Sequence, residues 1–129
     1  MYKENLSSIQ GATCPPAHAI EPQNLTAFRL VTSVPPIDGD FDSHQVLGKT
    51  RPQDVDECRW HSCSLFKSKS QLLNATGLPK FRGKWAGVVK VTLVAGSGRV
   101  VSNARTGHID WWRYAGYDAV SASTVALEF

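Results

Sequence analysis

Apolar and polar positions alternate most regularly over residues 86–95, where Val89, Val91 and Leu93 fall on one side and Val88, Lys90, Thr92 and Val94 on the other. A period of two carried by β-branched residues predicts a strand with one face fully buried and the second partly so. Gly96-Ser-Gly98 follows, then Arg99-Val-Val-Ser102, so the reading is a hairpin over 86–102. A second strand is predicted over Leu25-Thr-Ala-Phe-Arg-Leu-Val-Thr32, which ends before Pro35-Pro36, residues that cannot continue a central strand. Ser62-Cys-Ser-Leu-Phe66 reads as a short strand, and Ser68 with Gln71 has the spacing of a capping box. The helix that this starts takes its apolar face from Leu72, Leu73 and Ala75 and its stop from Gly77 and Pro79. A short helix is expected over Phe41 to Leu47 within the turn-rich segment 37–57, and Ala119 to Phe129 is expected as an edge strand.

Residues 1–24 hold Pro15, Pro16 and Pro22 and show no sustained period, which predicts an irregular N-terminal arm. The pattern as a whole predicts a single small α+β domain over 25–129: a mostly antiparallel sheet built on the 86–102 hairpin, with one or two short helices. At 129 residues and 42 % apolar content, the chain is long enough to bury a core without staples. It contains no run of about 18 apolar residues and no apolar leader, so no membrane partner is expected. Three cysteines, Cys14, Cys58 and Cys63, are an odd number, which argues for a reducing compartment and a cytoplasmic protein.

Charge changes the picture more than composition does. Between Cys58 and Ile109 there is no aspartate or glutamate, but there are nine cations: Arg59, Lys67, Lys69, Lys80, Arg82, Lys84, Lys90, Arg99 and Arg105. The formal net charge of +3 hides this, because residues 1–57 carry eight acids against four bases. A long run of one sign concentrates anions, and phosphate-bearing ligands are the commonest of these. Within it, Pro79-Lys-Phe-Arg-Gly-Lys-Trp85 interleaves bases with rings, as single-stranded nucleic acid requires. Lys67 and Lys69 oppose the dipole of the helix that follows, which is better explained if an anion sits there. The anion-binding candidates are therefore Lys67, Lys69, Lys80, Arg82 and Lys84.

Two further clusters bear on chemistry. His108-Ile-Asp-Trp-Trp-Arg-Tyr114 is dense in aromatics, and strand parity puts His108, Asp110 and Trp112 on one face, where they would line a pocket while Trp111 packs with Ile109 in the core. Cys58, His61 and Cys63 bring two soft ligands and an imidazole within six residues, although structural zinc sites usually repeat a Cys-x2–4-Cys pair.

An arginine on an early strand, then a serine-bearing strand running straight into a helix, then a long apolar strand, resembles the order of elements in the ADP-ribosyltransferase family. The resemblance implies that Arg29 and Ser62 or Ser64 hold the positions that bind a nicotinamide dinucleotide. The family's catalytic glutamate has no clear counterpart, with Glu128, Asp118 and His108 the late candidates. Arg29, Ser64 and His108 are thus the catalytic candidates. Three functions stay open: binding of a nucleotide or nucleic acid through the 59–105 segment, an ADP-ribosyltransferase-like enzyme, and a non-catalytic interaction domain whose acidic 37–57 segment neutralises its own basic run.

Overall fold

The computed structural model describes residues 1–9, 11, 13–78 and 83–129, so Lys80, Phe81 and Arg82 of the basic stretch lie outside the described residues. Six strands form one antiparallel sheet in the order β4-β5-β2-β1-β3-β6, and two short helices accompany it. The strands are β1 Leu25–Val31, β2 Cys63–Phe66, β3 Gly87–Leu93, β4 Gly98–Ser102, β5 His108–Arg113 and β6 Ser123–Glu128. The helices are α1 Glu57–Trp60 and α2 Lys69–Thr76. The fold is therefore α+β and mostly sheet, as the alternation over 86–95 and the capping residues imply. In α2 the Ser68 hydroxyl accepts from the Gln71 amide, and Gly77 closes the helix in the left-handed region at φ 74°.

The predicted hairpin does not form. β3 pairs with β1 and β6, whereas β4 pairs with β5, at the opposite end of the sheet. The connection Ala95–Ser97 is a 3-10 turn whose Ser97 carbonyl accepts from the Tyr114 amide and, at 3.2 Å, from the Trp111 indole nitrogen. Residues at the end of β5 thus capture the turn and carry the chain across. Gly98, at φ 142°, lies so close to β5 that an added Cβ would stand 2.2 Å from the Trp112 carbonyl oxygen. Alternation identifies two strands but contains nothing about which partner each one takes.

β1 and β2 are paired at one position only, Phe28 with Phe66, while β1 runs against β3 from Leu25↔Leu93 to Val31↔Gly87. The sheet thus splits into a β4-β5-β2 half and a β1-β3-β6 half joined at a single point. One face of both halves shares a core of Ala27, Val31, Cys63, Leu65, Val89, Val91, Leu93, Val100, Ile109 and Trp111. On the opposite face, α2 lays Leu72 against Leu30 and Val88.

The N-terminal arm covers that second face around Trp112. Tyr2 bridges Tyr114, Ile20 bridges Val100, and Leu6, Ile9, Ala19 and Cys58 close over Trp112. Trp111 and Trp112 are 0 % and 1 % exposed, which corrects the expectation that Trp112 shares a pocket with His108 and Asp110. Parity holds, but the sheet is covered on both sides at this point, and the Trp112 indole donates to the Cys58 carbonyl at 2.9 Å. The segment expected as a helix over 41–47 is instead a 3-10 turn at Asp38–Phe41 followed by turns, because the buried Asp40 carboxylate takes the Thr32 and Ile37 amides and the Thr32 hydroxyl.

Cys14 and Cys58 form a disulfide, and Cys63 is a buried free thiol that burial pushes up in pKa. An odd count is thus one bridge plus one core cysteine, and it no longer argues for a reducing compartment. No helix among the described residues is long and apolar enough to cross a membrane.

Candidate functional site

At the split between β1 and β2, the backbone of β2 loses its neighbour. Arg29 fills the gap. Its Nη1 donates to the Ser64 carbonyl at 2.9 Å and its Nε to the Asp40 carbonyl at 2.8 Å, so one planar fork holds β2 and the 38–41 turn together. Arg29 is only 6 % exposed. Among the described residues no carboxylate lies within ion-pair distance of it, since the Asp40 carboxylate is committed to Thr32 and Ile37.

Arg29 and Ser64 line a half-open cavity together with His44, Lys49, Phe66 and Trp85. Its polar wall is set from α1. Trp60 stacks on His44 with ring centroids 4.5 Å apart, and its indole donates to the Lys49 carbonyl at 3.1 Å. Asp56 caps that helix by accepting from the Arg59 amide, and the disulfide at Cys58 ties it to the arm. Burial and then the charges of Arg29 and Lys84 push Lys49 down, and burial with the fields of Lys49 and Arg29 takes His44 to about 4. Both shifts record the same condition: positive charge is crowded into a partly desolvated space.

A second, more open cavity adjoins the first, with Phe66 and Ala75 in the walls of both. It is lined by Arg59, His108, Asp110 and the 101–106 segment. Ser64 stands opposite Asp110 in the β2–β5 register, and Phe66 opposite His108. The Ser64 hydroxyl is hydrogen-bonded to His108 Nε2, His108 Nδ1 lies 3.6 Å from Asp110 Oδ1, and Arg59 Nε donates to Asp110 Oδ2 at 3.3 Å. Phe66 packs edge-on against the imidazole at 5.3 Å. Burial lowers the His108 pKa, with Asp110 opposing.

Ser64 thus touches each of the other two candidates, its carbonyl taking Arg29 and its hydroxyl His108, and His108 with Asp110 forms a pocket wall that excludes Trp112. Glu128 is exposed on the far edge strand β6, and Asp118 accepts from Ser121 in a surface turn, so neither approaches Ser64. Among the described residues, the anion-binding candidates are dispersed. Lys67 lines a separate groove with Ile20 and Leu25, Lys69 is exposed at the start of α2, and Lys84 lies over the Trp85 ring at 5.0 Å. The Ser68 hydroxyl occupies the Gln71 amide at that helix start. The candidate metal set is broken up: Cys58 is in the disulfide, Cys63 points into the core, and His61 is bonded to Glu4 at 2.7 Å. No group of three metal-ligating side chains occurs among the described residues.

Among the described residues, no acid of the 37–57 segment forms an ion pair with a cation of the basic run. Asp38 pairs with Lys3 and Arg113, and Asp42 with Lys3. Lys49 and His44 are the residues that sequence reasoning missed as site groups. A lysine in a turn-rich segment gives no local signal, whereas Asp110 was legible from its parity with His108 on a strand. No protein-family model, curated protein or solved structure matches the chain.

Proposed function

We propose that the cavity at the β1–β2 split binds the phosphate groups of a nucleotide. The buried Arg29 guanidinium carries this reading: a desolvated cation with no carboxylate at ion-pair distance among the described residues, beside a second cation, Lys49, in a cavity wall. Phosphate oxygens would supply the missing anion, and Phe66 and Trp85 offer ring faces for a base or a pyridine ring. A free nucleotide fits this arrangement better than a polynucleotide, because the described cations of the 59–105 run do not line the cavity. Titration calorimetry with NAD+, ATP and a short oligonucleotide tests it. Binding of a mononucleotide or dinucleotide that weakens in Lys49→Ala supports the reading; heat from the oligonucleotide alone, or none from any, overturns it.

A second reading rests on the pairing of Ser64 with Asp110. The resemblance to ADP-ribosyltransferases assigns Arg29 and Ser64 to the dinucleotide, and Asp110 supplies a carboxylate opposite Ser64, one methylene shorter than the family's glutamate. A transferase or glycohydrolase of this kind would release nicotinamide from NAD+, and Asp110→Asn would abolish the release while leaving NAD+ binding in place. Unchanged release in that variant would exclude Asp110 as the acid.

A further inference from the structure

Ser64, His108 and Asp110 stand in line across two adjacent central strands, the Ser64 hydroxyl hydrogen-bonded to His108 Nε2 and His108 Nδ1 3.6 Å from the Asp110 carboxylate. We propose that Ser64 is a reactive nucleophile and that this line makes the protein an esterase, acting on an acyl ester whose alcohol half carries a phosphate. The serine chemistry stands on its own geometry; the phosphate on the alcohol rests on the nucleotide reading above.

The three groups occupy the positions such chemistry needs. In its neutral Nδ1–H tautomer, with that proton facing Asp110, His108 presents an unprotonated Nε2 to the Ser64 hydroxyl. Phe66 holds the ring edge-on, and Arg59 anchors the other oxygen of Asp110, so the carboxylate stays aimed along β5. Uncomplexed acid–base pairs commonly stand somewhat long and close up in the substrate complex, which the 3.6 Å gap between Nδ1 and Oδ1 allows. Ser64 lines the cavity that also holds Arg29 and Lys49, so an oxyanion formed there would lie in a cationic field.

In the first half-reaction, Ser64 Oγ attacks the ester carbonyl carbon and its proton passes to His108 Nε2. The tetrahedral intermediate collapses, the bond to the alcohol oxygen breaks, and Nε2 returns the proton to the departing alcohol. Water then attacks the acyl-serine, giving its proton to Nε2. Cleavage of the acyl–Oγ bond with return of that proton restores Ser64 and releases the carboxylic acid. No oxidant or metal is consumed.

The folded, disulfide-intact protein is incubated with a fluorophosphonate probe and analysed by intact mass and peptide mapping. Attack by Oγ forms an oxygen–phosphorus bond and expels fluoride. The expected result is one adduct, on Ser64, absent in Ser64→Ala and formed roughly 100-fold more slowly in His108→Gln, the range a general base contributes. Ser62, which is fully buried and donates to the Arg59 carbonyl, is the internal control and should stay unlabelled. No adduct on the wild-type protein, an adduct elsewhere, or an unchanged rate in His108→Gln overturns the proposal. ADP-ribose as a competitor separates the two readings. Labelling of Ser64 that ADP-ribose slows supports both; labelling that it leaves unchanged supports the nucleophile and removes the phosphate-bearing alcohol. Nucleotide binding by calorimetry without labelling removes the nucleophile alone.

Discussion

Arg29 Nη1 donates to the Ser64 carbonyl at 2.9 Å, across the place where β1 and β2 keep a single paired position. The guanidinium does there what a neighbouring strand would do, satisfying a main-chain acceptor of β2, while its Nε does the same for Asp40. It also leaves a cation facing a cavity, so one residue closes the sheet and charges the site.

Replacing Arg29 by methionine keeps much of the volume but strands both carbonyl groups. Two charge-assisted bonds to buried acceptors are lost, which should destabilise the protein by about 3 kcal/mol. Arg29→Lys should recover only part of this, since an ammonium lacks the planar fork that reaches two carbonyls at once. Urea unfolding followed by circular dichroism measures both, and a Lys variant as stable as wild type would contradict the two-carbonyl account.

Trp111→Ala and Trp112→Ala should both be costly, by about 3 to 5 kcal/mol, because each ring is fully buried in a different cluster. The two differ in what covers them. Trp112 lies under the arm that the Cys14–Cys58 bridge ties down, so its cost should shrink when those cysteines are also changed to serine, while that of Trp111 should not. A double-mutant cycle in urea checks the coupling.

Reduction, or Cys14→Ser with Cys58→Ser, should lower stability by about 4 kcal/mol on the chain-entropy estimate for a loop closed over a sequence separation of 44. The loss should extend to the site, because Cys58 lies in α1, and α1 supports His44, Lys49 and Asp110 through Trp60 and Arg59. Thermal melts with and without a reductant test the first effect, and nucleotide titration of the reduced protein tests the second.

His44 titrates at about 4 in the folded protein against 6.5 in an exposed histidine. Between these values the unfolded chain takes up a proton that the folded chain resists, so stability is fully present above pH 6.5 and declines as pH falls towards 4. His108, lowered by burial, contributes in the same direction. His44→Gln should flatten the slope in this window, as read from urea midpoints between pH 7 and 4. If the variant keeps the wild-type slope, His44 is not its source.

Gly107 precedes His108 at φ 76°, and an added Cβ would stand 2.1 Å from the Gln71 side chain. Gly107→Ala should therefore destabilise by more than about 1 kcal/mol, from the left-handed backbone and the displaced glutamine together. Because β5 starts at His108, the variant should also slow any reaction that depends on the Ser64–His108 contact, which probe labelling would register.

Much of the fold was written locally. The β-branched alternation of Val89, Val91 and Leu93, the Ser68–Gln71 cap and the Gly77 stop produced β3 and α2 close to where the pattern placed them, because backbone preference and side-chain period act over a few residues. The likeness of Arg29 and Ser64 to a ligand-binding pair also came from sequence order. Tertiary structure alone decided the rest. It chose β5 as the partner of β4, since hydrogen bonds from Trp111 and Tyr114 capture Ser97 and no periodicity encodes a partner. It buried Trp112 by drawing a proline-broken arm over it, paired Cys14 with Cys58 across 44 residues, and brought Lys49 and Asp110 to the split between β1 and β2. Those contacts join residues far apart in the chain, and their free energy appears only when the whole sheet has closed.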